Sequence, residues 1–293
     1  VHLAPSYQRK RWLSGFHPRT FAGLQVLLQS VLTQGTLVVA SKHADDISDQ
    51  IKTHDVEFAS ATPTYWRAFL FGSSDSSPIS SLRQLTVGGE VVDQLLLDQL
   101  GSRFPAARIS QIYASSEQGV CFSVHDHIAG FPADWLWNNS GPCPMRIAES
   151  GELLLQSPRR MKGYLADDHT PSDGHTWSHT GDLVEIVGDR VVFCGRLGDT
   201  INVGGHKVSP NRVEETMRRV PGVVEARAYG MASSIVGQVV AAEIQIAAHA
   251  QAEQTRRDVM EACRSSLPKY MVPVMLDVSN EPLSQGTKLI RSA

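Results

Sequence analysis

Apolar positions in the first 125 residues alternate between helical and strand-like spacing. Leucine and valine recur three and four positions apart over residues 24–32, which predicts a helix that ends at Gly35 and leads into a strand at 36–40. The same reasoning predicts a helix capped by Asp45, strands at 56–61, 85–87 and 108–113, and a leucine-rich helix around 95–97. Helices that alternate with strands are typical of a parallel sheet covered on both faces.

The pattern changes twice in the remainder of the chain. After about residue 125 it predicts a small β-rich subdomain, with a strand at 152–156 and a hairpin at 184–193 that folds at Gly188-Asp189. After Asp199 it predicts a small α+β unit. The elements of that unit are a helix capped by Ser209 with Pro210 first and Val213 and Met217 on one face, strands at 223–229 and 239–246, and a helix over 251–266. We therefore expect an α/β large-domain portion over residues 1–198 and a small α+β C-terminal domain over 199–293.

Length and composition narrow the class of protein. A chain of 293 residues exceeds one ordinary core, which agrees with two domains. With 42% hydrophobic residues, 19% charged residues and a formal net charge of -3, it has a globular composition and lacks the basic surplus of a nucleic-acid-binding protein. The four cysteines form no CxxC pair, which favours a reducing compartment, the cytoplasm. We expect no signal peptide and no membrane span, and a start at Val1 in mid-pattern predicts a piece of a longer protein.

Two short motifs follow predicted strands, where open α/β sheets place their ligands. In the Tyr-Ala-Ser-Ser-Glu motif, Tyr113 could stack on a base, while Ser116 and Glu117 could hold a metal-bound phosphate. An ordinary strand end is the alternative. The Gly-Gly-Glu motif at 88–90 permits close backbone approach, although most glycine pairs simply form turns.

A third motif pair suits a polyol. In Thr-Gly-Asp at 180–182, the carboxylate of Asp182 could accept both hydroxyls of a ribose, and Arg196 in the segment 195–199 could lie at the same seam. The alternatives are a turn with a solvated aspartate and a purely structural ion pair. The occurrence of both motifs at this spacing favours ribose binding.

Two further motifs are ambiguous by themselves. Lys288, on a glycine-containing loop at 286–291, could neutralise charge that develops on a phosphoryl or carboxylate oxygen, although terminal lysines are usually only solvated. The His-Asp-His motif at 125–127 has the residue types of a metal site. Without further ligands at suitable spacing, a surface loop is the better prediction.

Taken in order, these motifs resemble those of the adenylate-forming superfamily of acyl- and aryl-CoA synthetases, luciferases and peptide-synthetase adenylation domains. The ordered set covers nearly the whole chain and consists of Gly88-Gly89-Glu90, 113–117, Gly151-Glu152-Leu153 with Gly163-Tyr164, Thr180-Gly181-Asp182, 195–207 and Lys288. The resemblance implies a two-step reaction. A carboxylate attacks the α-phosphate of MgATP to give an acyl-adenylate and pyrophosphate, and a thiol or amine then takes the acyl group.

The resemblance also implies roles for individual residues. For the nucleotide, it implies that Gly88, Gly89 and Glu90 bind it, that Tyr113 stacks on adenine, and that Asp182 and Arg196 hold the ribose. Ser116 and Glu117 would serve phosphate and Mg²⁺, and Lys288 would bridge the substrate carboxylate and phosphate. Asp199 would be the hinge about which the small domain rotates, and Gly204 and Gly205 would form the loop that faces the acceptor.

Three departures from the family pattern bear on activity. The family's Ser/Thr/Gly-rich phosphate loop normally lies before the region where this chain begins, so we expect the chain alone to adenylate poorly or not at all. The usual Tyr-Gly-x-Thr-Glu has Ala114 and Ser116 at its second and fourth positions, which keeps the hydroxyl and the carboxylate. Thr287 separates Gly286 from Lys288, where many members have glycine directly before lysine.

The substrate class follows from one more position. Members that activate α-amino acids carry a Phe-Asp pair where this chain has Phe21-Ala22, so no carboxylate is available for an α-amino group. The resemblance therefore implies activation of a small non-amino carboxylic acid with ATP and Mg²⁺, then transfer to CoA or to the phosphopantetheine of an acyl-carrier protein. The alternatives are an amide-forming ligase or adenylation domain with an amine acceptor, and a non-catalytic nucleotide-binding module.

Overall fold

The computed structural model describes residues 7–40, 44–73, 75–138, 140–163 and 177–283. The strands are β1 Arg11–Ser14, β2 Thr36–Val39, β3 Phe58–Ala61, β4 Gln84–Gly88, β5 Arg108–Ser115, β6 Gly119–Val124, β7 Phe131–Pro132, β8 Met145–Ile147, β9 Glu152–Leu155, β10 Ser178–Val187, β11 Arg190–Arg196, β12 Ile201–Val203, β13 His206–Val208, β14 Val223–Ser233, β15 Gly237–Ile246 and β16 Met275–Ser279. The helices are α1 Phe21–Leu32, α2 Ala44–Thr53, α3 Pro63–Gly72, α4 Gln94–Arg103, α5 Pro210–Arg218 and α6 Ala252–Ser266. Within the described ranges, no helix has both the length and the hydropathy that crossing a membrane requires.

The first sheet has six strands in the order β2-β1-β3-β4-β5-β6, and all neighbours are parallel except β5 and β6. Side-chain caps begin the helices that connect its strands, because Thr20, Thr62 and Asp93 accept hydrogen bonds from backbone N–H groups of α1, α3 and α4. The core centres on Trp66, which packs edge-on against Phe69. The predicted α/β class is therefore confirmed for this part of the chain.

Helix α1 forms where the leucine and valine spacing predicts it, but its apolar side faces outward. Leu24 is 47% exposed and Val31 is 63% exposed, and Leu28 and Leu32 are exposed with them. The small residues Gly23 and Ser30, together with Val26, form the buried side instead. An added Cβ at Gly23 would lie 2.1 Å from the backbone oxygen of His17, so close backbone packing sets the orientation of this helix.

The second sheet is the predicted β-rich subdomain, with strand order β7-β11-β10-β9-β8. Its longest hairpin joins β10 and β11 through the predicted turn, where Gly188 has φ +62°. Aromatic rings fill the core of this subdomain: Phe122 on β6 contacts Phe131 and Trp135. The neighbouring strands β5 and β6 of the first sheet thus pack directly against the second sheet.

The third sheet belongs to the small α+β unit, with strand order β13-β12-β15-β14 and β16 parallel to β15. Helix α5 begins at Pro210 and buries Val213 and Met217, as predicted. The expected cap was wrong in one respect. Ser209 is the N-cap residue, yet its hydroxyl donates to the backbone oxygen of Cys194 on β11 rather than accepting from the helix. This hydrogen bond ties the start of the small unit to the second sheet.

A buried ion network joins the large domain portion to the small unit. Arg67 on α3 lies 2.6 Å from Asp93 and 3.4 Å from Glu225 on β14. Arg218 on α5 lies 3.1 Å from Glu225, and its Nε lies 3.3 Å from Asp93 without the alignment of a hydrogen bond. Glu214 lies 3.8 Å from Arg218 within the same helix. Side-chain exposure in this network does not exceed 10%, so every charge depends on its partners.

Candidate nucleotide site

Asp182 and Arg196 lie directly opposite each other on β10 and β11. The Nε of Arg196 lies 3.1 Å from Oδ1 of Asp182, and the two side chains form an ion pair. The aspartate side chain is 16% exposed and the arginine side chain is 62% exposed, so the carboxylate sits at the base of the pair and the guanidinium at its rim. The structure therefore brings these two predicted ribose-binding residues together, and their role stays a prediction.

A turn in β10 presents Asp182. The pairing of β10 with β9 shifts between His179 and Leu183, and Gly181 has φ +72°, a conformation that favours glycine. The hydroxyl of Thr180 donates to the backbone oxygen of Leu153 and accepts from the backbone N–H of Asp182. The Thr-Gly-Asp order thus has a local physical reason, because each of its residues contributes to the turn.

Burial raises the pKa of Asp182 above its usual range, and the hydrogen bond from Tyr113 and the charge of Arg196 oppose that rise. The phenol of Tyr113 donates to Oδ2 over 2.5 Å, while Arg196 forms its ion pair with Oδ1. Both oxygens of this carboxylate therefore have a polar or charged partner within the protein.

The ring of Tyr113 lies between two phenylalanine rings. Phe122 and Phe193 each stack on it with ring centroids 5.0 Å apart and interplanar angles of 19° and 20°. Burial, together with the charge of Asp182, raises the pKa of Tyr113, so the phenol remains a hydrogen-bond donor. The structure thus shows a contact to Asp182 and a ring whose neighbours are already aromatic. The predicted stacking on adenine is not tested by this arrangement.

The remaining residues of the Tyr-Ala-Ser-Ser-Glu motif lie at the end of β5 and in the turn to β6. The side chain of Ser116 is exposed and Glu117 is half-buried. The hydroxyl of Ser115 accepts from the backbone N–H of Gln118, and the backbone oxygen of Glu117 accepts from Met161. The hydroxyl of Ser115 and the backbone of Glu117 therefore fix the turn, and Ser116 lies exposed within it.

The Gly-Gly-Glu motif ends β4. An added Cβ on Gly88 would lie 2.7 Å from the backbone oxygen of Ile112, so glycine is required for the contact between β4 and β5. Gly89 has φ +85° and is exposed. Glu90 accepts from the backbone N–H of Thr64 over 2.9 Å, at the start of α3. Two of these three residues thus have a structural role, whatever contact they make with a nucleotide.

The predicted hinge and acceptor loop lie beyond the second sheet. Asp199 is half-buried in a 3-10 turn at Leu197–Asp199. Gly204 and Gly205 form the two-residue turn of the β12–β13 hairpin, with φ +55° and +88°, which is the backbone of a type I′ turn. Both glycines are exposed. Lys288 lies outside the described residues.

The His-Asp-His segment has partners within the protein. Nδ1 of His125 lies 2.8 Å from the hydroxyl of Ser110, and Asp126 accepts from Arg190 over 2.7 Å. In the part of the chain that the structure describes, no three His, Cys, Asp or Glu side chains lie close enough together to hold a metal ion.

Comparison with protein families identifies the chain. The model of AMP-binding enzymes matches residues 8–165, and the model of the AMP-binding enzyme C-terminal domain matches residues 212–284. The chain belongs to the AMP-binding enzyme family. The predicted resemblance is thereby confirmed.

Similar proteins include acid–thiol ligases and an amide synthetase. The 2-succinylbenzoate–CoA ligase of Bacillus velezensis is 28% identical over 97% of this chain and 60% of its own length. The anthranilate CoA ligase AuaEII in complex with anthranoyl-AMP has a TM-score of 0.78 at 18% identity, over 96% of this chain and 58% of its own. The amide bond synthetase McbA of Marinactinospora thermotolerans has a TM-score of 0.74 at 22% identity, over 94% and 58%. The chain spans about 60% of the length of each of these three proteins.

One contributor to the site was missed by reasoning from the sequence. The motif order includes Glu152 without a role, yet its carboxylate lies 2.8 Å from Nδ1 of His179 and accepts from the backbone N–H of Gly181 over 2.8 Å. Burial alone would raise the pKa of Glu152, but the hydrogen bonds from His179 and Gly181 lower it below its ordinary value. The predicted strand at 152–156 and the Thr-Gly-Asp turn were the available indications that the two segments pair.

Proposed function

We propose that this protein takes part in the ATP-dependent activation of a non-amino carboxylic acid as an acyl-adenylate, followed by transfer of the acyl group to a thiol. Membership of the AMP-binding family and similarity to CoA ligases support the reaction class. The observation that carries the proposal is the pair formed by Asp182 and Arg196, which unites a carboxylate acceptor and a cationic donor at one exposed seam.

The pair suits a nucleoside because its carboxylate can accept hydrogen bonds from the ribose and its guanidinium can donate them. Asp182 accepts hydrogen bonds from ribose hydroxyls, while the hydrogen bond from Tyr113 and the charge of Arg196 oppose the rise that burial causes in the pKa of its carboxyl. Arg196 is exposed enough to contact the ribose from the rim of the site. Gly89, exposed at the end of β4, contributes backbone that a nucleotide can approach closely, and Gly88 and Glu90 hold that segment in place.

Tyr113 contributes through its hydroxyl and through its ring. Its hydrogen bond holds Asp182, and its ring offers a stacking surface to adenine once Phe193, the more exposed of the two flanking phenylalanines, moves aside. Phe122, which is only 4% exposed, remains as the fixed support of the ring.

MgATP enters this scheme as the substrate. Glu117 is a half-buried carboxylate beside the exposed hydroxyl of Ser116, and oxygen donors of this kind suit the magnesium ion that accompanies the phosphates. These two residues would hold the ion and a phosphate oxygen, and the ion would neutralise phosphate charge. Lys288, outside the described residues, is proposed to neutralise charge on the reacting oxygens.

The small unit is proposed to serve the second step. In this scheme residues 1–198 form the nucleotide-binding portion, residues 199–293 form the mobile domain, and Asp199 is the hinge between them. Gly204 and Gly205, exposed at the tip of a hairpin, would line the approach of CoA or of a carrier-protein phosphopantetheine. An amine acceptor is the second candidate, because an amide bond synthetase is among the similar structures.

The reaction class can be tested with stable acyl-adenylate mimics. Acyl sulfamoyl-adenosines carry the acid and the nucleoside together, so their binding needs no turnover of ATP. We expect calorimetry to show tighter binding of aryl and aliphatic forms than of α-aminoacyl forms or AMP. Substitution of Asp182 by alanine should weaken every analogue. Asp189→Ala, at the exposed hairpin turn, is the matched control and should change nothing. Equal binding of α-aminoacyl forms, or no binding of any analogue, would contradict the proposal.

The acceptor can be assigned separately. The acyl-adenylate of the acid that binds best is prepared chemically, so that the chain need not carry out the first step. It is incubated with CoA, a phosphopantetheinylated carrier protein or a primary amine, with the chain and beside a sample without it. Mass spectrometry identifies the product. The proposal expects a thioester, whereas an amide with no thioester would favour the amine-accepting alternative.

A further inference from the structure

The buried carboxylate of Glu152 contacts the neighbouring strand β10. Its side chain is 7% exposed, and it lies at the first position of β9. One oxygen accepts from the backbone N–H of Gly181 and the other lies against the ring of His179, both over 2.8 Å. All of these contacts fall in the segment that immediately precedes Asp182.

The geometry of the two strands explains why that segment needs support. His179 pairs with Leu154 and Leu183 pairs with Glu152, so β10 advances four residues while β9 advances two. Two residues of β10 are therefore extra, and the ladder between the strands is interrupted there. In place of a ladder hydrogen bond, the backbone N–H of Gly181 donates to the carboxylate of Glu152. The hydroxyl of Thr180 donates to the backbone oxygen of Leu153 on the same strand.

The two contacts of Glu152 differ in strength. His179 is 73% exposed, and an ion pair with so exposed a partner adds little. The bond from the Gly181 N–H is a charge-assisted hydrogen bond to a buried carboxylate, which belongs to the stronger class. The contact with Gly181 is therefore the one that fixes the turn.

We propose that Glu152 is a positioning residue: by holding the Gly181 N–H, it places the carboxylate of Asp182 where it can accept the ribose hydroxyls. This proposal rests on the proposed function, since it assumes that Asp182 meets the ribose. Glu152 touches no substrate itself. Its effect is to set how strongly the protein distinguishes a nucleotide with a 2′-hydroxyl from one without it.

The test compares the affinities for ATP and for 2′-deoxy-ATP. In Glu152→Ala the turn loses its partner, so affinity for ATP should fall roughly tenfold while affinity for 2′-deoxy-ATP changes much less. The ratio of the dissociation constant for 2′-deoxy-ATP to that for ATP should therefore fall towards one. Glu152→Gln keeps an oxygen that can accept from Gly181 and should stay close to the unsubstituted chain. His179→Ala, which removes only the exposed partner, should change the ratio less than about twofold.

A second comparison links the effect to Asp182. Once Asp182 is replaced by alanine, adding Glu152→Ala should cause no further loss of ATP affinity, because both substitutions remove the same contact. Should Glu152→Ala fail to fold, Glu152→Asp decides the question. It retains the charge but is one methylene too short for both contacts, so it should lower the ratio in a folded protein.

The outcomes separate this inference from the function on which it rests. If Asp182→Ala leaves both affinities unchanged, the proposed ribose role fails. If Asp182→Ala lowers the ratio while Glu152→Ala and Glu152→Asp leave it unchanged, the positioning role alone is overturned. An equal loss of affinity for both nucleotides in the Glu152 variants would also overturn it, because that result indicates a merely structural contribution.

Discussion

The hydroxyl of Tyr113 donates a 2.5 Å hydrogen bond to Oδ2 of Asp182, 69 residues further along the chain. This contact joins the end of β5 in the first sheet to β10 in the second sheet. It therefore couples two motifs of the proposed nucleotide site. A substitution of either residue should therefore remove a hydrogen bond of the other.

Replacement of Tyr113 by phenylalanine should weaken nucleotide binding without loosening the fold. The ring would keep its contacts with Phe122 and Phe193, whereas Asp182 would lose its buried donor. We expect a loss of ATP affinity of roughly tenfold, in line with removal of a hydrogen bond to a charged group. Titration calorimetry measures it. Tyr270→Phe, which retains the stacking of that ring on His206, is the control. Equal affinities in both variants would contradict the assigned contact.

The same substitution at two aspartates should have opposite effects on stability at neutral pH. Burial raises the pKa of Asp182 above 3.8, so its contribution to stability is complete below that value and is lost as pH rises through the folded pKa. Asp182→Asn should therefore raise the melting temperature at pH 7, and the difference should vanish below about pH 4. This gain would come with a loss of ribose binding.

Asp93 is the opposite case. Its burial would raise its pKa, but the charges of Arg67 and Arg218 lower it below 3.8. Its contribution to stability is present at neutral pH and is lost as pH falls through the folded pKa. Asp93→Asn should therefore lower the melting temperature at pH 7. Melting curves at pH 4 and pH 7 would contradict the account if both aspartate variants shifted in the same direction.

The buried ion network should make a large difference to stability when one partner is removed. Arg218→Met leaves Glu214 and Glu225 buried with fewer positive partners, which should cost about 3–5 kcal/mol of unfolding free energy. Urea denaturation measures the loss. Arg219→Met is the matched control: Arg219 is 66% exposed and pairs with Glu215 one turn away, so we expect a change within about 0.5 kcal/mol. Similar losses in both variants would contradict the burial of the network.

The outward face of α1 should tolerate polar residues in this chain. Val31 is 63% exposed, so Val31→Ser should change the unfolding free energy by no more than about 0.5 kcal/mol. Val26, on the same helix, is 6% exposed, and Val26→Ala should cost about 1.5–3 kcal/mol. Urea denaturation of the two variants distinguishes the faces. A large loss in Val31→Ser would indicate that this side of the helix is buried.

Local sequence patterns predicted the elements that local physics determines. Gly188 and the glycine pair at 204–205 adopt positive φ angles, and the presence of glycine at these positions indicates such turns. The pairing of Asp182 with Arg196 needs more than the β10–β11 turn, because the register set at the turn shifts by one residue between Leu183 and Val184. The hairpin was therefore accessible from the chain alone, whereas the register shift that places these two residues opposite each other was not.

Contacts between distant segments were not accessible in that way. The network that joins Arg67 to Glu225 spans 158 residues, and no periodicity indicates such a pairing. The outward orientation of α1 depends on the close approach of Gly23 to His17, which outweighs the apolar pattern of the helix. Ser209 has the residue type of a cap, yet a tertiary contact with Cys194 takes its hydroxyl. In each case packing decides between choices that the local sequence leaves open.

The claim that the Asp182–Arg196 seam binds the ribose of ATP is tested most directly by calorimetric titration of ATP into Asp182→Ala, beside the unsubstituted chain and the Asp189→Ala control. If the seam binds ribose, Asp182→Ala binds ATP roughly tenfold more weakly or worse, while the control binds as the unsubstituted chain does. Unchanged affinity in Asp182→Ala would contradict it.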